Sequence, residues 1–93
     1  MVSKEQLKFL LGEIQAMQKN NIGTTIAISI STAYKSYGFV VIIDHNAKKD
    51  ENGEISAEIS DFVFDEQMTE DQCLDRFSDI EEIIKREKKK NEL

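Results

Sequence analysis

The chain has 93 residues, 40% of them apolar and 32% charged, with a net charge of −6; that allows one small core, leaves little room for a large internal active-site cavity, and argues against a nucleic-acid-binding surface. Its single cysteine, Cys73, excludes an internal disulfide and a cysteine-built metal cluster. The longest apolar run, Phe39 to Ile43, falls far short of the ~20 residues a membrane helix needs, and Met1 to Gly12 lack a secretory apolar core, so a cytoplasmic protein with no membrane span is expected.

The first element reads as a helix. Ser3 and Gln6 form a capping box, Val2 is placed to staple to Leu7, and Leu7, Leu10, Leu11, Ile14 and Met17 recur at helical spacing. Asn20, Asn21 and Gly23 supply the stop. Phe9, Gly12 and Ala16 lie off that apolar face, and close approach of another backbone would explain a glycine in a helix interior.

The period then switches from helical to two. Ile26, Ile28 and Ile30 alternate with Thr25, Ala27 and Ser29, as in a strand with one buried face. After a short link, Ser31 to Tyr37, the run Phe39 to Ile43 is apolar on both faces and suits a central strand. A polar stretch from Asn46 to Asn52 leads into the hairpin pair Asn52-Gly53. A third strand follows, with Ile55, Ala57 and Ile59 alternating against Ser56, Glu58 and Ser60; because the apolar parity then shifts to Phe62 and Phe64, a bulge or bend near Asp61 is expected.

The last element repeats the start signal of the first. Thr69 and Gln72 form a second capping box, Met68 is placed to staple to Cys73, and Cys73, Leu74, Phe77, Ile80 and Ile84 give the apolar stripe. Glu70 and Asp71 open the helix while Lys85, Arg86 and Lys88 to Lys90 close it, matching the macrodipole at both ends. The fold expected is α+β: a single domain over 1–84, α-β-β-β-α, with a three-stranded antiparallel sheet, strand two central and both helices packed on one face. Residues 85–93 are expected to be a charged, partly frayed tail.

Three site patterns fail on their own residues. Asp50 to Ile55 resembles the middle of an EF-hand loop, but Lys48 and Ile59 fall where carboxylates are required, so a hairpin turn is expected. His45 and Cys73 contain the groups of a nucleophile and base, yet a lone histidine at a strand end is ordinarily a turn residue and Cys73 occupies an apolar helical position. The element order is that of double-stranded RNA-binding domains; here the last helix opens Thr69-Glu70-Asp71, with no cation before Arg76, the wrong sign for phosphate contacts. No enzyme activity, cofactor, metal or direct nucleic-acid binding is expected.

The sign of the charge is the strongest functional signal. From Asp50 to Glu82 there are thirteen acids against Arg76 alone. Asp71, Asp75 and Asp79 stand at i, i+4 and i+8, where like charges cost about 0.2–0.5 kcal/mol per pair. They repeat about every 6 Å along the helix, on the scale of a nucleic-acid backbone. With Glu82, and with Asp65 and Glu66 just before the helix, they are the expected contacts to a host protein with a basic surface. A second surface, for a homodimer, is expected on the uncovered sheet face, with Val40 and Ile42 among Ala27, Ser29, Ser56 and Ser60. In size, acidity and element order the chain is similar to small phage inhibitors of host defence, including some anti-CRISPR proteins; that likeness implies a mobile-element inhibitor or nucleic-acid mimic. The rival expectation is a homodimeric accessory protein whose charge serves solubility.

Overall fold

Both helix starts form as their residues dictate. Ser3 Oγ accepts from the Gln6 amide at 3.2 Å while Gln6 Oε1 accepts from the Ser3 amide at 2.7 Å, and Thr69 and Gln72 repeat the exchange at 3.1 and 3.0 Å. From these caps run α1 (Lys4–Asn20) and α2 (Glu70–Asn91), with β1 (Thr25–Ser31), β2 (Gly38–Lys49) and β3 (Ile55–Asp65) between them. The computed structural model describes residues 1–32 and 36–92; the middle of the expected Ser31–Tyr37 link, residues 33–35, and Leu93 lie outside them.

The strands form one antiparallel sheet in the order β1-β2-β3. Ile26 on β1, Phe39, Val41, Ile43 and His45 on β2, and Phe64 on β3 are buried on one face. The Phe39 and Phe64 rings stack across the strands at 4.7 Å. Leu7, Leu11 and Ile14 of α1 and Cys73, Ile80 and Ile83 of α2 close that layer. Each large apolar side chain taken from water there contributes about 1.5–3 kcal/mol before entropy is counted.

The helices lie side by side and run parallel. Val2 and Met68, the residues before the two caps, are both buried, and the Val2 amide donates to the Met68 carbonyl at 2.8 Å. At the other end Gly23 packs closely on Asn91, whose side chain donates to the Glu87 carbonyl at 2.7 Å.

The β2–β3 hairpin differs from expectation in two ways. Its strands run well into the polar stretch, so the turn is only Asp50 to Glu54: the Gly53 amide donates to the Asp50 carbonyl at 3.1 Å, and Gly53 takes the left-handed conformation, φ 83. The irregularity is not at Asp61, where β3 pairs with Ile42 in unbroken register. It lies in β2 between His45 and Lys48, with Asn46 at φ 53. Because β3 keeps its parity, Ile55, Ala57 and Ile59 fall on the open face with Asp61 and Val63, whereas Ser56, Glu58 and Ser60 face the helix side. Apolar alternation misled here because the hairpin extends beyond the helices: every residue from 47 to 59 is exposed, so no core selects its face.

Two expectations for α2 also change. Leu74 is 56% exposed, while Ile83 and Glu87 take up the buried stripe. The segment expected to fray is helical through Asn91, because Glu87 anchors it to β2.

Candidate functional site

The buried stripe of α2 decides what its outer side presents. At about 100° per residue, Asp71, Asp75, Asp79 and Glu82 fall within about 80° of one another, opposite Ile80 and Glu87, over about 16 Å of helix. All four are exposed. The ion pairs among the described residues join Glu58 and Glu87 to His45, Glu87 to Lys90 and Glu92 to Lys88; none involves this stripe. Arg76, the sole cation in the acidic stretch, donates instead to the Val63 carbonyl at 3.0 Å and to Met68 Sδ at 2.8 Å. Among the described residues, no cation forms an ion pair with the stripe.

Asp65 and Glu66 serve the fold. Asp65 Oδ1 accepts from the Gln67 amide at 2.9 Å and Glu66 Oε2 from the Tyr37 amide at 2.5 Å, so both half-buried carboxylates hold the approach to α2.

Beside the stripe runs an apolar groove of about 380 Å³ between the first turns of the two helices, floored by Val2, Leu10 and Cys73 and flanked by Phe9 and Leu74. Phe9 is 68% exposed. Glu5 and Glu70 border it, and Gln6 Nε2 donates to Glu70 Oε1 at 2.5 Å across its end. Sequence reasoning treated Leu74 as core and so missed this groove. The signal was available: Leu74 lies about 60° from Asp71 on the helix wheel, at the margin of the acidic face.

Across comparisons with protein-family models, curated proteins and solved structures, nothing matches this chain. The site is therefore read from its own geometry.

Burial raises the affinity of Cys73 for its proton; Arg76 lowers it and Asp65 and Glu70 raise it again, leaving the thiol above its ordinary pKa. His45 is not its neighbour. It faces Glu87, fourteen residues further along α2, about 21 Å of helix from Cys73, so the two do not form a nucleophile–base pair. Asp50 Oδ1 accepts from the amides of Asn52 and Glu54 at 2.9 and 2.8 Å, the work of a hairpin turn, and no group of three metal-ligating side chains occurs among the described residues.

A polar cluster that the sequence did not suggest closes the far end of α2. Glu87, 1% exposed, accepts from the Asn46 amide and from Lys90 Nζ at 3.3 Å. His45, 4% exposed, shares a hydrogen bond with Ser60 Oγ at 2.8 Å, and its Nδ1 has no hydrogen-bond partner although Glu58 and Glu87 lie at 3.8 and 3.9 Å. Burial raises the pKa of Glu87, but the Asn46 amide, Lys90 and His45 together lower it below the ordinary carboxylate value. The signal was its spacing: Glu87 continues the 73, 77, 80, 84 series.

On the other side of the sheet, Ala27, Ile42 and Asp61 lie in one cross-strand row and Ser29, Val40 and Val63 in the next. Ile42 and Val63 are 38% and 47% exposed. The open face is thus apolar along its middle and carries the Asp61 carboxylate within that strip.

Proposed function

We propose that this protein is a non-enzymatic binding module that engages a basic surface of a partner protein through the outer face of α2. The observation that carries this reading is the stripe Asp71, Asp75, Asp79 and Glu82, exposed and without an ion pair among the described residues. Complementary potential steers such an encounter and sets its register. The adjoining groove adds a place for an apolar side chain of the same partner, with Phe9 and Leu74 as contacts and Glu5 and Glu70 as its charged border. Carboxylates about 6 Å apart match the repeat of phosphates, so a surface that grips nucleic acid is the kind the stripe fits best. Occupying it inhibits that partner, the role suggested by the likeness in size and charge to small phage inhibitors.

The test compares capture of a partner from host lysate by the wild-type chain, by Asp75→Lys/Asp79→Lys and by Phe9→Ser, at low salt and at about 0.5 M salt, where the screening length falls to a few ångströms. The expected result is a specific partner lost at high salt and lost with the double charge reversal, with Phe9→Ser weakening capture at low salt. Equal capture by the wild type and the charge-reversed variant at low salt would overturn the reading.

A further inference from the structure

We infer that β1 pairs antiparallel with β1 of a second copy of this chain about a two-fold axis at Ile28, joining two three-stranded sheets into one of six strands. β1 and β3 are the outer strands of the sheet, and their outer edges differ in how they are protected. β3 carries Glu58, Asp61 and Asp65, which repel another strand of this chain. β1, with the sequence TIAISIS, has no charge, no proline and no glycine. Gln18 Nε2 donates to the Ile26 carbonyl at 2.7 Å, at the position this pairing sets opposite Ile30 of the second copy, and uses one of that oxygen's two lone pairs.

The strand is also self-complementary. Read from Ile28 outward in either direction, the order is small residue, isoleucine, small polar residue. Antiparallel pairing about Ile28 therefore sets Ile26 beside Ile30 of the second copy and Ile28 beside its counterpart, with all the isoleucines on the helix side. Ile30, 52% exposed, and half-buried Ile28 gain cover from that pairing. Closure is isologous, which limits assembly to two copies; pairing β1 with β3 would instead extend without end, against the acids of β3. Packing the open faces together would require burial of Asp61 beside Ile42, and an unpaired buried carboxylate is far costlier than an uncharged edge. This association does not depend on the groove or acidic stripe: α1 reaches β1 through Gln18, whereas Arg76 ties α2 to β3.

The test is sedimentation of the wild-type chain over a concentration series, combined with amide hydrogen exchange at Ile28 and Ile30. A dimer is expected, with both amides exchanging more slowly as concentration rises. Ile30→Lys places a charge at a site exposed in the monomer and should weaken the dimer roughly a hundredfold, tenfold from each symmetric copy of the position. If Ile30→Lys loses its fold by circular dichroism, Ser29→Lys, on the solvent side of the same strand, supplies the same readout. A monomer throughout, a ladder of larger species, or a dimer unaffected by the lysine with Ile28 exchanging freely overturns the inference.

Discussion

Glu87→Ala removes the carboxylate that ties the last turns of α2 to the bulge of β2, and it should cost about 1.5–4 kcal/mol, the sum of the two interactions it makes. Most of that comes from the Asn46 amide, which loses a hydrogen bond to a charged acceptor worth about 1.5–3 kcal/mol. The half-exposed Lys90 adds at most about 1 kcal/mol. Glu87→Gln keeps an acceptor and removes only the charge, so its cost should be near 1 kcal/mol. The pKa of Glu87 is lowered in the folded state, so its stabilisation is complete above the ordinary carboxylate value of 4.5 and is lost as pH falls through the lower folded value. Urea unfolding followed by far-ultraviolet circular dichroism should therefore show a constant gap between wild type and Glu87→Gln near neutrality, closing in acid. Equal stabilities at neutral pH, or a gap that persists far into the acid range, would refute the charge assignment.

Two glycine substitutions should move stability in opposite directions in the same assay. A Cβ on Gly12 meets nothing within 4 Å, so Gly12→Ala should stabilise by up to about 1 kcal/mol; on Gly38 it would stand 2.8 Å from the Phe64 carbonyl oxygen, so Gly38→Ala should destabilise by about 1–3 kcal/mol. Cys73, 1% exposed and with its thiol pKa raised, should react with a thiol-specific disulfide reagent roughly a hundredfold more slowly in the native state than in urea. Rapid native labelling would show that the start of α2 opens locally.

The sequence revealed the parts of the fold that depend on local chemistry. Ser3 with Gln6 and Thr69 with Gln72 form reciprocal hydrogen bonds within one turn, so each pair identifies a helix start without tertiary information. The central strand was equally plain, because Phe39, Val41 and Ile43 face one layer while Val40 and Ile42 remain apolar on the other. What failed depended on where another element stops. The pattern of Ile55, Ala57 and Ile59 denotes burial only if a helix lies above it, and none does at that end of the hairpin. Leu74 lies on the flank that α1 leaves open, and Glu87 reads as tail until β2 presents the Asn46 amide to it. The acidic stripe was legible because charge sign and helical period both survive in sequence; the groove beside it depends on the separation of two helices that no local pattern records.

The parallel arrangement of α1 and α2 has a consequence for synthesis. The three strands follow one another in the chain and pair through short connections, whereas the layer above them needs the first helix and the last together. As the chain leaves the ribosome, Phe39, Val41, Ile43 and Phe64 remain half covered until Ile80 and Ile83 emerge. Glu87, bonded to the Asn46 amide, and Asn91, packed closely on Gly23, then fasten the end of α2 over segments made before it.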